Sequence, residues 1–344
     1  MTRQNAIPVH AAAPSTARRR FIRQGGLLAF GLSTGTLSFP SIIRADAPLR
    51  VVSNPGLENA TLTALMREQG FLQRFGVDAV MVDVDGVAGP FDAIAQGAAD
   101  VCMVSGYNMV LPRIAQGAKV KVIGAGMRKI ALTVFANRDT VGTLDDLEGK
   151  TVAVGPPEGL LHTLMLQLLK VKGIDAGRIH FVDKGSNDHC YAAVARGEAD
   201  ACCASISHLN RADGPIAIDA AAMWQALPDC IFQTAYAANA IIEQQQSRLI
   251  PLMAAYGALY DYVMHDAFFA ARKRAQHRFD SRSAQAIWHF YQTARPYDKD
   301  LTLTQENIAY LQRMFIDQRH MATMLPFADT ADMSAAQAAA RQLG

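Results

Sequence analysis

AIAQGAADVCMVS, from Ala93 to Ser105, and AVARGEADACCAS, from Ala193 to Ser205, are one pattern written twice, one hundred residues apart. Each copy passes from the end of an apolar helix through a glycine (Gly97, Gly197) and an Ala-Asp pair into four uncharged residues and a serine. The glycine suits a helix C-cap, where a left-handed backbone costs least without a Cβ. VCMV and ACCA are too short for a helix interior and fit strands buried on both faces. Ser105 and Ser205 then stand where a strand ends and a helix begins, the edge of an open α/β sheet at which ligands bind.

Working outward, the flanking segments repeat as well. A strand from Leu49 to Ser53 breaks at Asn54-Pro55-Gly56 and is followed by a helix from about Asn59 to Gln69. Val77 to Asp83 alternates as a strand, and after Ser105 come a helix over Tyr107–Gln116 and a strand over Lys119–Gly124. The second copy has a strand over Thr151–Val154, a break at Gly155–Gly159, a helix over Leu160–Lys172 and a strand over Ile179–Asp183. Short strands alternating with helices predict an α/β protein of two lobes, each a mainly parallel sheet flanked by helices. Ala131–Arg138 and Ile231–Ala237 are the apolar stretches where the lobes meet, and if both cross they form a two-stranded hinge. The last hundred residues read as a helical C-terminal region, expected to pack back onto the first lobe. Pro251 suits a first helical turn there, and Thr302 with Gln305 suits a capping box. The expected domains are a leader over 1–45, a discontinuous first lobe over 46–133 and 236–344, and a second lobe over 134–235.

The leader is basic, then mildly apolar. Residues 1–45 hold six arginines and no acid, so the formal charge of +2 becomes −4 without them, with 27 basic against 31 acidic residues. No nucleic-acid or anionic-membrane partner follows from such a balance. Arg18-Arg19-Arg20-Phe21-Ile22-Arg23 ahead of the glycine-containing run to Ile43 has the form of a secretory signal with a small-residue exit near Ala45. It resembles a twin-arginine signal, with Ala17 where Ser or Thr is usual, and that resemblance implies export in a folded state to the periplasm. With no cysteine before Cys102, a lipid anchor is not expected. Gly31-Leu32-Ser33-Thr34-Gly35 matches the hydrolase Gly-x-Ser-x-Gly pattern but falls inside the leader, outside any strand–turn–helix context.

GAADVCMVS…AQGAKVKVIG, LDDLEGKTVAVGPPEGLLHTLMLQLLKVKGI and AAVARGEADACCAS together resemble the substrate-binding proteins of bacterial ABC importers. The similarity runs from about Leu49 to Ala237 and is nearest to the branch for nitrate, sulfonates, taurine and thiamine pyrimidine precursors. It implies the type II periplasmic-binding-protein (flytrap) fold, a small organic ligand held between the lobes, and delivery to an ABC transporter permease by a monomeric receptor.

Four loops should converge on the cleft. The first lobe offers Asn54, Pro55 and Asn59, then Ser105, Gly106, Tyr107 and Asn108, with Arg128 as the best side-chain anion partner. The second offers Pro156, Gly159 and His162, then Ser205, Ser207 and His208. Each loop precedes a helix, whose free N–H groups and positive dipole end suit an acidic or strongly polar ligand group. Simple helix capping explains either serine equally well, and only their matching places favour a ligand. A sulfonate, a carboxylate or a pyrimidine all suit such a cleft.

Two other functions stay open. Thiamine-pyrimidine synthases share the resemblance but carry a dense cysteine run, of which only Cys202-Cys203 stands here. A receptor that hands its ligand to a sensor kinase would look the same in sequence. No His-Glu-x-x-His or paired Cys-x-x-Cys is present, and His189, Cys190, Cys203 and His208 are too scattered for a metal site, so neither enzyme, metal nor cofactor is expected. A Cys190–Cys230 bridge is left open.

Overall fold

The computed structural model describes residues 47–54, 57–84, 89–105, 109–209, 214–218, 221–265 and 281–344, with backbone alone for 57, 58, 281 and 284. The leader therefore lies outside the described residues, as do Pro55, Gly106, Tyr107 and Asn108.

The chain opens with β1 (Leu49–Ser53), α1 (Leu57–Glu68), α2 (Phe71–Arg74), β2 (Ala79–Val82), α3 (Gly89–Ala95), β3 (Val101–Val104), α4 (Val110–Ala115) and β4 (Val120–Ala125). It continues with β5 (Leu132–Ala136), β6 (Thr151–Val154), α5 (Leu160–Lys172), β7 (His180–Asp183), α6 (Asn187–Ala195), β8 (Ala201–Ser205), β9 (Ile216–Ala217) and α7 (Met223–Ala226). It closes with β10 (Thr234–Ala238), α8 (Asn239–Gln244), α9 (Gln246–Met264), α10 (Ser281–Ala294), α11 (Gln305–Asp317), α12 (Phe327–Thr330) and α13 (Ser334–Leu343).

Two five-stranded sheets form, ordered β2-β1-β3-β10-β4 and β7-β6-β8-β5-β9. In each, one strand runs against its neighbours: β10 pairs antiparallel with β3 and β4, and β5 with β8 and β9. β5 opens the second sheet, whose five strands all come from the continuous stretch Leu132–Ala217, and β10 returns after it to complete the first, so only the first sheet is finished by a strand from beyond the second. The two crossovers pair on the way, with Gly126 N donating to Gln233 O (2.9 Å) and Gln233 N to Met127 O (2.9 Å).

The duplicated unit is now explained atom by atom. Gly97 and Gly197 adopt φ of 71° and 72°, and the residue after each closes the helix, Ala98 N onto Ala93 O (2.7 Å) and Glu198 N onto Ala193 O (2.8 Å). This is the left-handed termination that favours glycine. The aspartates pin strand starts. Asp100 Oδ2 accepts Arg50 N at 2.8 Å, and Asp200 Oδ2 accepts Thr151 N at 2.9 Å, while each aspartate's own N–H donates back to the same residue's carbonyl. On the other side, Asp100 O accepts Ala238 N (3.2 Å) and Asp200 O accepts Asn137 N (2.9 Å), the residues at the ends of the antiparallel strands. In the first sheet the Arg50 guanidinium adds a bidentate pair to Asp100, at 2.6 and 3.1 Å. VCMV and ACCA are buried throughout, as strands with helices on both faces require.

Two expectations for the C-terminal region are corrected and a third is qualified. Most helices do lie on the first lobe, α9 with α13, and α12 and α13 on β4, but α11 packs on α4 and also bonds to α5 of the second, and α10 packs on the turn Ile206–His208 of the second. The capping box is formed by Thr304 and Asn307, because Thr302 is held in extended chain by its carbonyl bond to Arg128. Pro251 sits inside α9, beyond its first turn, the start of that helix being set at Gln245.

The unequal hydrogen bonding of the two aspartates gives an ordered expectation. Asp100→Ala should cost about 2–3 kcal/mol and Asp200→Ala about 1–2 kcal/mol, since only the former also loses a charge-assisted pair with a part-exposed guanidinium. Urea unfolding midpoints check this, and a larger loss at Asp200 would contradict it.

Candidate functional site

On the first sheet the edge residues form one hydrogen-bonded group. Asn54 N donates to Val104 O (2.9 Å), so the loop after β1 is laced to the end of β3. Asn59 Nδ2, in the first turns of α1, donates to Asn54 O at 2.9 Å, and Ser105 Oγ donates to Asn54 Oδ1 at 3.3 Å. Because a carbonyl only accepts, the first of these bonds fixes the Asn59 amide, and its Oδ1 is left buried with no partner among the described residues. Ser105 is 1% exposed, and its carbonyl accepts Thr234 N of the returning strand at 3.2 Å.

On the second sheet, Gly159 ends a tight turn, its N–H donating to Pro156 O at 2.7 Å. A Cβ there would stand 3.0 Å from Pro156 O and 3.1 Å from Pro156 Cδ, so any larger residue would push the turn open by a few tenths of an ångström. α5 begins on Gly159 with no side-chain cap, leaving the first N–H groups of a thirteen-residue helix without side-chain partners. That is an anion-binding end made of backbone alone. His162 lies in this first turn, its Nδ1 3.3 Å from Pro157 O and its ring 5.0 Å from Phe181. Burial lowers its pKa, opposed by the Pro157 carbonyl and reinforced by His320, so the ring is neutral at pH 7. Ser205 Oγ accepts Ser207 N at 3.2 Å, a cap on the short turn that ends at His208.

The structure thus gathers Asn54, Asn59 and Ser105 at one sheet edge, Pro156, Gly159 and His162 at the other, and Ser205 with Ser207 beside β5. Two expected ligand residues are elsewhere. Arg128 Nη2 donates to Asp300 O (2.6 Å) and Thr302 O (2.8 Å), and its backbone N donates to Pro296 O (2.6 Å). It fastens the C-terminal segment to the first crossover, and burial lowers its pKa against the pull of Asp298 and Asp300. His208 is 2% exposed, stacked on Tyr191 at 4.3 Å and edge-on to Phe135 at 6.2 Å, with Nε2 3.2 Å from the Asp188 carboxylate. It is a core histidine beneath α6. Its position after β8 looked like a loop in sequence, but the following turn folds the ring inward.

Sequence reasoning missed Arg113 and Gln233. Arg113 Nη2 of α4 lies 3.8 Å from Glu158 Oε2, linking the first half to the turn before α5. Gln233 Oε1 accepts Met127 N at 3.4 Å within the paired crossovers. Neither falls in a motif, and only the three-dimensional pairing reveals them. An open groove of ≈ 560 Å³ between α2 and α9 includes none of the edge residues, so it is not this site.

All five cysteines are free and buried, with no Cys190–Cys230 bridge. Burial pushes Cys102, Cys190 and Cys230 up to about 12 and raises Cys202 and Cys203 as well. Among the described residues no group of three His, Cys, Asp or Glu is placed to hold a metal, and no helix is long and apolar enough to cross a membrane. Because a raised thiol pKa means a neutral, unreactive sulfur through pH 9, no thiol should react with Ellman's reagent at pH 8 in the folded protein. All five should react in guanidinium, and a fast native thiol would contradict the buried placement.

Two mixed sheets joined by paired crossovers, the first completed by a returning antiparallel strand, have the periplasmic-binding-protein fold. Residues 59–267 match the family described as NMT1/THI5 like, and the chain belongs to that family. No curated protein matches it by sequence. Its fold is similar to the alkanesulfonate-binding protein SsuA from Xanthomonas axonopodis pv. citri bound to MOPS, at TM-score 0.67 and 17% identity, covering 84% of this chain and 99% of that one. The ligand-binding component of an ABC-type import system from Staphylococcus aureus with zinc bound gives 0.67 and 14%, covering 86% and 99%. The desulfurization enzyme DSZB gives 0.61 and 12%, covering 86% and 100%.

Proposed function

We propose that this chain is an exported solute receptor that closes its two lobes around a small organic ligand and delivers it to an ABC transporter permease. The observation that supports this most is the matched pair of sheet edges joined by a paired crossover. Each edge carries a strand end, a serine and a polar loop in matching places. The domains follow the crossovers: a leader to residue 45, then 46–133 with 236–344 as the first lobe and 134–235 as the second, α10 and α11 reaching across.

The ligand class is narrowed by what the edges hold. With Arg128 committed to backbone carbonyls and Arg113 facing Glu158, an acidic group would rest on the N–H groups at the start of α5. The buried Asn59 Oδ1 asks for a donor on the ligand's other end. A sulfonate or carboxylate with a polar or heterocyclic tail meets both demands. That several fold neighbours are importer components, and that one is described as bound to MOPS, supports this class. An enzyme on the same fold is disfavoured because every thiol is buried and protonated.

A thermal-shift screen of sulfonates, carboxylates and pyrimidines on the mature protein should find a stabilising compound. For the best of them, Ser105→Ala and Ser205→Ala should each weaken binding about 3–10-fold, the loss of roughly one hydrogen bond. Melting temperatures of both variants should fall by only a few degrees. Unchanged affinity in both would make the serines caps and nothing more. Arg18-Arg19→Lys-Lys should hold the precursor in the cytoplasm, and normal export of that variant would point to the general secretory route.

A further inference from the structure

The stretch from Pro296 to Asp332 hangs from the first sheet at both ends. Near its start, Ala125 N donates to Leu301 O (2.7 Å), and Arg128 holds Pro296, Asp300 and Thr302. Near its end, Ala331 bridges to Val122, and Asp332 N donates to Val122 O (2.9 Å). Within it, Gln312 is bonded both ways to Leu325, so α11 and the loop after it move as one piece.

The middle of that piece grips the second lobe. Gln318 Nε2 donates to Thr163 O at 2.9 Å, Gln167 Nε2 to Tyr310 OH at 3.4 Å, and Lys170 pairs with Asp317. Thr163, Gln167 and Lys170 all belong to α5, the helix whose free end faces the cleft. At the rim, Arg113 and Glu158 add a second contact between the halves.

This grip is not built like a permanent core. Gln167 Oε1 and Gln318 Oε1 are buried there with no hydrogen-bond partner among the described residues. A lasting interface would cover such oxygens with donors or replace them by apolar groups, since each gives up water for nothing. On separation both can regain water, which offsets the bonds that break. The ion pair is exposed and worth little by itself.

We propose that the segment from Pro296 to Asp332 is an interlobe clasp, rooted on the first lobe by Arg128 and closing on α5 through Gln318, Tyr310 and Asp317, which holds the empty receptor shut and releases when the lobes part. The proposal rests on the reading that the lobes move against one another. It makes the clasp a determinant of affinity, because a receptor held closed without ligand has already met part of the cost of closure.

The test needs no ligand, so a failed ligand screen leaves it standing. Cysteines introduced as Val80→Cys and His180→Cys, on the exposed edge strands β2 and β7, take spin labels while the five native thiols stay buried. Double electron–electron resonance on the mature chain should show one short, narrow distance. Adding Lys170→Glu with Gln318→Ala should create a second, longer population. Gln167→Leu, which removes the bond to Tyr310 alone, should add a smaller share of the longer population than the release variant does. Reversing the pair with Lys170→Glu and Asp317→Lys together should return the distribution toward the starting one. Circular dichroism confirms that each variant is folded. An already broad distribution in the unsubstituted clasp, or no lengthening in the folded release variant, overturns the proposal.

Discussion

A single carboxylate at the entry to a buried strand, used twice, is the constraint on which this molecule depends. Asp100 and Asp200 each bond an N–H at the start of the neighbouring parallel strand and offer their carbonyls to the end of the antiparallel strand. Three strands are thereby set in register at one point. Because register in a sheet buried on both faces decides where every strand ends, the same contact fixes the positions of Ser105 and Ser205 five residues on. The glycine before each aspartate ends the helix sharply enough to let the carboxylate reach its strand.

The return of β10 to the first sheet carries this local device to the scale of the whole molecule. β5 opens the second sheet and β10 completes the first, so the crossovers are short, paired and central. A hinge of that kind permits rotation of two otherwise rigid bodies, since both sheets are close-packed and deform little. Arg128 then draws a third segment to the same place. The guanidinium that seemed free to meet a ligand is spent on the backbone carbonyls of Asp300 and Thr302, which leaves amides, hydroxyls and helix ends as the polar groups at the sheet edges.

Much of this was legible in the sequence because the first half of the chain obeys local rules. β1, β6 and α5 have the bounds that their apolar runs and glycine or proline breaks predict, and the glycines of the repeat are helix ends as expected. What was hidden depends on partners far along the chain. Arg128 meets residues more than 170 positions away, and His208 turns inward because Tyr191 and Phe135 offer it a flat slot. The C-terminal helices carry amphipathic patterns that say which face is buried but not against which lobe. The capping box moved from Thr302 to Thr304 for a similar reason, since two threonines two residues apart are equivalent until the carbonyl of one is taken by a distant arginine.

The central claim is that a ligand touches both sheet edges at once. A crystal structure of the mature protein with the best compound from the screen tests it most directly. The account predicts density between the edges, with one end of the ligand at the start of α5 near Gly159 and the other within hydrogen-bonding distance of Asn59 or Ser105. A ligand seated wholly on one sheet, or in the groove between α2 and α9, would contradict it.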